Sequence, residues 1–321
     1  RIELPRGGYV PEFREHTETP PPAPQEPAAA PAPRRRVAGF LAGVAVGLGL
    51  SLAGFWVRQG PPKQSSECPS LWSAYLDPRV ETITSFGVPL FFSGGGGLFI
   101  RDTQVNKLSD DQSRIGRVGD ILKRPFRPQG DVYTGVGDAI GAHLVARWLE
   151  QHGVKASMAN SNYIGASDVE GRNLVIVASA RFQTLLQTMD LPRRIRFDPN
   201  GNAGAFELDS PTQGEQAVYR PHSSDTGVST SYAVISLWPG ATPERRIMYL
   251  SGIETWSTQG AAQFVLDPER MGELERHLDR DPAEGPHGRK SPYFQVLLRV
   301  EGKSNLVRSA HYLTHRYLPA H

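Results

Sequence analysis

The side chains best placed to do chemistry in this 321-residue chain crowd together at Ser251–Gly260, SGIETWSTQG. The stretch follows the apolar run Arg246–Leu250 and precedes Ala261–Leu266, so it reads as a strand passing into a helix. Ser251, Gly252, Thr255, Ser257 and Thr258 would then lie past the end of a strand, where α/β sheets gather ligands. Ser257 or Thr258 can cap the helix, and amides near Gly260 could hold a small anionic or polar ligand. Simple capping explains the same residues. Ser251 as a hydrolytic nucleophile is weaker, because Leu250-Ser251-Gly252 lacks the first glycine of the Gly-x-Ser-x-Gly elbow.

Three further places carry weaker signals. Asn173–Ser179, NLVIVAS, reads as a buried strand with Ser179 and Arg181 at its end. Val88–Ser93 reads as an apolar strand running into Gly94–Gly97, so Ser93, Gly94 and Gly95 could form a phosphate loop. The third glycine of the dinucleotide fingerprint is missing and Leu98–Ile100 looks like another strand, which favours a hairpin turn. Gly135-x-Gly137 opens the best helix, Asp138–His152, as an anion-holding turn or as a site of tight helix packing; the packing reading is favoured. His311 and His315 would share a metal only on a helix. On the strand expected there, four residues span about 13 Å, too far for one ion. Neither a cofactor nor a metal is expected.

These residues need a scaffold. The helix 138–152 has an apolar stripe of Ile140, Leu144, Val145, Trp148 and Leu149, with Asp138 to cap it and Gly153 to end it. Around it lie a short helix at 71–76, a surface loop over 102–130, a strand at 154–159 and a short helix over 181–189. Strand and helix alternate here in the rhythm of a parallel or mixed sheet with helices on its faces. Three hairpins follow: 194–198 with 205–209 around Asn200-Gly201, 232–238 with 246–250 around Pro239-Gly240, and 293–300 with 306–318. Pro268 opens a helix between the last two.

Ahead of this lies Val37–Val57, VAGFLAGVAVGLGLSLAGFWV, without a charged residue. As a helix it would reach roughly 30 Å, the thickness of a bilayer's hydrocarbon core. Arg34–Arg36 abut one end and Trp56 the other, so the tail is expected in the cytoplasm and the bulk of the chain outside it. Gly39, Gly43 and Gly47 line one helix face, where a second copy could pack to give a homodimer. Residues 17–36 are a Pro/Ala-rich linker, which favours extended polyproline II.

The 35 Lys+Arg nearly balance the 33 Asp+Glu, so there is no basic footprint for nucleic acid. The lone cysteine, Cys68, excludes an internal disulfide or a cysteine-rich metal site. A start at Arg1 rather than Met reads as a fragment.

Residues 1–13, RIELPRGGYVPEF, form a hairpin pattern. The segment resembles the closing part of a small winged-helix-like domain in bacterial membrane-anchored proteins of the transcriptional-regulator type. A Pro-rich linker and a single span follow in that family, as here. NLVIVAS, then IRF, then MYLSGIETWSTQGAAQFVLDPERM and paired strands resemble the extracytoplasmic domain found with it. The resemblance implies DNA contact only through a part absent from this sequence, and no activity or binding residue. The expected organisation is a hairpin remnant over 1–16, a linker over 17–36, a transmembrane helix over 37–57, a linker over 58–69 and an extracytoplasmic α/β domain over 70–321. That domain is expected to be a Rossmann-like three-layer mixed sheet with C-terminal antiparallel hairpins, preceded by the span and a disordered tail. The functional expectation is a membrane-bound sensor of an unknown small ligand or protein, with a periplasmic hydrolase or transferase as the alternative.

Overall fold

The structure, a computed structural model, describes residues 70–319 apart from 131–132, 183–185, 187–188, 190, 201–203, 226 and 281–290. The hairpin remnant, both linkers and the proposed span 37–57 lie outside the described residues. Among the described residues no helix is long and apolar enough to cross a membrane.

The domain is mixed α/β. Its parallel half is built from β1 (Thr82–Phe86), β5 (Ala156–Asn160), β6 (Asn173–Val177) and β12 (Arg246–Gly252). Its antiparallel half is built from β11 (Val228–Pro239), β13 (Phe294–Lys303) and β14 (Leu306–Tyr317). The order across the sheet is β14-β13-β11-β12-β6-β1-β5, with β10 (His222–Ser223) paired to the start of β11. β6 lies between parallel neighbours, and all five of its residues are buried, as expected for a continuous apolar run covered on both faces.

The long helices gather on one face: α2 (Val136–Gln151), α4 (Thr255–Leu266) and α5 (Pro268–Arg280). Val145, Leu149, Val177, Ile235, Leu250 and Phe264 meet there, and Trp72 from the 3₁₀ turn Ser70–Tyr75 joins them, donating its indole N–H to Val265 O at 2.8 Å. The other face is covered over β1 and β6 by the short helix α3 (Ala166–Glu170) and Leu186, and over β11 and β13 by a second sheet, where the strand–helix rhythm suggests helices alone. β7 (Ile195–Asp198), β8 (Ala205–Leu208) and β9 (Val218–Tyr219) form that sheet. Ile195, Phe206 and Tyr219 pack on Tyr232, Val234 and Leu297. Glu215, in the β8–β9 connection, binds Arg316 and Thr314 of β14 and so ties this small sheet to the main sheet's edge.

Between β1 and α2 the chain inserts a small unit. β2 (Phe91–Ser93) pairs with β3 (Phe99–Ile100) and with β4 (Arg127–Gln129), and α1 (Ser113–Leu122) closes over Phe92 and Val105 through Ile115. This corrects two expectations. The first strand of the main sheet is Thr82–Phe86, and the segment 102–130 contains a helix and a strand. Most of α1 faces solvent, and its seven polar, glycine or valine positions around Ile115 and Ile121 hide the helical period in a charged stretch.

The α2–α4 contact sets the helical layer. A Cβ at Gly137 would overlap the Thr255 carbonyl, one at Gly135 would overlap the Thr255 side chain, and one at Gly141 would stand 2.8 Å from Val177 Cγ1. Glycine lets the two backbones touch. The exposed stripe position Ile140 is 39% accessible, so the buried face turns instead on Gly141, Ala142, Val145 and Leu149. Gly137→Ala should destabilise the fold by at least about 3 kcal/mol, because a backbone carbonyl cannot swing aside as a side chain can. Gly116→Ala in α1 meets nothing within 4 Å and should instead stabilise by up to about 1 kcal/mol. Urea unfolding of the two variants checks both signs.

Candidate functional site

At the carboxyl end of β6 the chain leaves the sheet through Ala178 and Ser179. Ser179 is fixed on both sides: its N–H donates to Asp138 Oδ2 at 3.1 Å and its hydroxyl to Ile253 O at 3.2 Å. The 3₁₀ turn Ala180–Phe182 follows and carries Arg181 to the sheet face opposite the long helices.

Arg181 lines a cavity of about 440 Å³ between that face and the β7–β8–β9 sheet. Strand alternation supplies the floor: Val234, Ser236 and Trp238 of β11, Tyr249 and Ser251 of β12, and Gln295 of β13 all point to one side. Ile195 and Phe197 of β7 with Phe206 of β8 form the roof, and the loop 104–110 a wall. Trp238 and Tyr249 stack at 6.1 Å with 20° between their planes. Trp238 is held by a hydrogen bond from its indole N–H to Pro192 O. Gln295 is consumed by structure: its carbonyl accepts from the Arg194 and Ile195 amides, and its NH₂ donates to Ile195 O and Ser236 Oγ.

The three lining arginines differ. Arg196 pairs with Asp209, and Arg193 donates to Leu186 O. Arg181 is 9% accessible, and among the described residues neither of its terminal nitrogens has a hydrogen-bond partner. Its guanidinium carbon lies 5.5 Å from the Phe197 ring centre, in cation–π contact. Burial lowers its pKa. Arg101 stands near it; burial brings that group down to about 10, with Asp102 opposing and Arg181 adding to the fall.

Asp138 lies at the same end of the sheet and is fully buried. Three residues into α2, it does not cap that helix as expected; Gly135 holds the cap position, and the carboxylate instead reaches Ser179. Burial pushes its pKa up to about 7, against the pull of the Ser179 N–H and the Thr258 hydroxyl. Burial also drives the Tyr249 phenol upward, with Ser251 opposing and the Asp138 charge adding to the rise.

The residues singled out in the sequence fall into three groups. Arg181 and Ser251 line the cavity, with Ser179 two residues from Arg181. Ser93, Gly94 and Gly95 form the β2–β3 hairpin, closed by Gly94 N–H to Leu98 O, so the phosphate-loop reading fails: no helix follows the strand. Gly135, Gly137, Gly252, Thr255, Ser257 and Thr258 are spent on packing. The helix begins at Thr255, not Ala261, because Ser257 Oγ bonds the Glu254 carbonyl and receives its amide. Thr258 Oγ1 accepts the Gly252 N–H, and a Cβ on Gly252 would overlap Ser257. Gly260 sits within α4, so no amides are open there. Among the described residues no hydrogen bond joins Ser251, Thr255 or Ser257 to a histidine or carboxylate side chain. His311 and His315 lie on β14, as a strand reading requires.

Trp238, Tyr249, Phe197, Phe206 and Arg193 escape the sequence reading. Alternation in Tyr232–Trp238 separates its two faces, but a strand buried on both sides gives no sign of which face opens on a cavity. Compared with protein-family models, with curated proteins and with solved structures, the chain matches none.

The raised Asp138 pKa has a signed consequence. Between about pH 4 and about pH 7 the unfolded chain gives up this proton while the folded chain keeps it, so stability falls as pH rises through that window. Asp138→Asn keeps an acceptor for the Ser179 N–H and removes the titration. It should match the parent near pH 4 and exceed it near pH 8 by a few kcal/mol, at about 1.4 kcal/mol per pKa unit. Urea unfolding of both proteins across that range checks it.

Proposed function

We propose that the α/β domain is the ligand-binding part of a single-pass membrane sensor. The single observation that carries the ligand-binding part is the cavity at the ends of β6 and β12, with Arg181 buried against it and its terminal nitrogens without a hydrogen-bond partner among the described residues. A cavity of about 440 Å³ lies within the range of small-molecule sites, which runs from about 300 to 1,000 Å³. The site has a buried charge and aromatic walls without a paired nucleophile and base among the described residues, which supports binding over hydrolysis.

The membrane part rests on the sequence. Val37–Val57 crosses the bilayer once, Arg34–Arg36 stay in the cytoplasm, and residues from about 60 onward lie outside. Occupancy of the cavity alters association of two copies, and the Gly39, Gly43 and Gly47 strip carries that change through the bilayer. In keeping with the resemblance of residues 1–13, the output is a winged-helix-like DNA-binding domain upstream of Arg1, since two such domains brought together read two half-sites. The finer architecture, a Rossmann-like three-layer domain, belongs to the same reading.

Cys68 provides the test because it is the chain's one cysteine and falls just past the span. In spheroplasts expressing the full-length protein, a membrane-impermeant maleimide should label Cys68 without lysis. Labelling only after lysis would sink the topology, and the sensor reading with it.

A further inference from the structure

We propose that the cavity receives a small monocarboxylate with an aromatic or otherwise apolar body, its carboxylate paired to Arg181 and its body laid against Phe197 and Tyr249. The inference rests on the cavity being a ligand site and names the class of ligand it takes.

The argument starts from cost. Taking a guanidinium out of water costs several kcal/mol unless an opposite charge and hydrogen bonds replace the water. Among the described residues Arg181 has neither at its two terminal nitrogens, which are buried and unpartnered, and the face of Phe197 lies against its guanidinium. The other two arginines of the cavity show what a satisfied one looks like here, with Asp209 and Leu186 O as partners. Arg181 borders the cavity, and a modest turn of its side chain brings those sealed donors to an anion held there.

The shape of those donors selects the partner. A guanidinium presents a planar fork that matches the two oxygens of a carboxylate. A phosphate monoester fits the fork as well but carries about −1.5 to −2 charges. Arg196 is already neutralised by Asp209, and Lys107 and Asp110, both on the cavity wall, balance in charge. A second negative charge would thus be left without a counterion in a buried site. One charge on the ligand balances one open cation.

The rest of the lining selects the body. Tyr249, stacked on the fully buried Trp238, gives the cavity a flat floor, and Phe197 gives it an apolar wall. The amide of Gln295, the one long neutral polar side chain of the floor, has its bonds made within the fold and offers little to a polar body. Ring stacking against such walls is favourable beyond the area it buries.

The experiment uses the full-length protein in lipid nanodiscs and titration calorimetry with phenylacetate, naphthoate, phenylacetamide and phenyl phosphate. Phenylacetate or naphthoate should bind, with phenylacetamide and phenyl phosphate about ten- to hundredfold weaker, the worth of a charge-assisted hydrogen-bond pair. Arg181→Met should abolish the preference for carboxylate over amide. It should also raise the melting temperature of the ligand-free protein, because it removes a buried charge without a counterion. Arg181→Lys should bind carboxylate less tightly than the parent yet still prefer it to the amide.

Equal binding of phenylacetamide, or tighter binding of phenyl phosphate, would overturn the carboxylate assignment while leaving the cavity a ligand site and the sensor reading intact. Binding of none of the four would overturn the proposal, and the Cys68 labelling then judges the membrane topology separately. A lower melting temperature in ligand-free Arg181→Met would overturn it too, by showing that the guanidinium serves the fold.

Discussion

The α2–α4 contact leaves no room for a methyl group at Gly137, and the placement of nearly everything at the ligand end of the sheet follows from that closeness. With the two backbones touching, α2 can start beside the end of β6, and Asp138 reaches the Ser179 amide from within its first turn. α4 can start directly after β12, with Gly252 against Ser257 and Thr258. Both strands therefore end in short, tightly bonded connections on the helical side. The chain that leaves β6 then turns to the opposite face, where Arg181 meets the cavity. The constraint is steric, and glycine is the residue that meets it.

Two buried charged groups near this end are treated in opposite ways. Asp138 receives the Ser179 N–H at Oδ2, has no hydrogen-bond partner at Oδ1 among the described residues, and resolves its burial by holding a proton up to about pH 7. Arg181 cannot take that route, since a guanidinium keeps its proton at any physiological pH. A carboxyl group can become neutral when the fold offers it too little, whereas a buried arginine must find an anion. The difference in acid–base chemistry is why one group reads as part of the scaffold and the other as a binding group.

Much of the scaffold was legible in the residues. The buried run NLVIVAS, the Asn200 and Pro239-Gly240 hairpins, the paired C-terminal strands and the Asp267-Pro268 helix junction all sit where local pattern puts them, because each is specified by contacts within a few residues. The misses share a cause. Thr82–Phe86, TITSF, is half polar, and its strand character comes from lying between β5 and β6. The segment 102–130 looks like a loop because α1 buries only Ile115. Ser251–Gly260 looks like a loop because its polar side chains cap the helix from inside its first turns, and hydroxyls that bond the backbone read the same in sequence as hydroxyls that bond a ligand.

The candidate site divides along the same line. Arg181 is visible from its position after a buried strand, and Ser251 from its place at a strand's end. Phe197, Trp238 and Tyr249 come from three separate strands, and no local rule joins them. By itself the sequence determined the alternation that aims each side chain to one face of its strand, the caps and turns that end each element, and the apolar stretch 37–57 with its basic flank, all of which depend on near neighbours along the chain. Only the tertiary structure decided which face of the sheet is filled by helices and which encloses a cavity, and which arginine is left without a partner. Those outcomes depend on how separate elements meet across the fold, and such pairings leave no local mark.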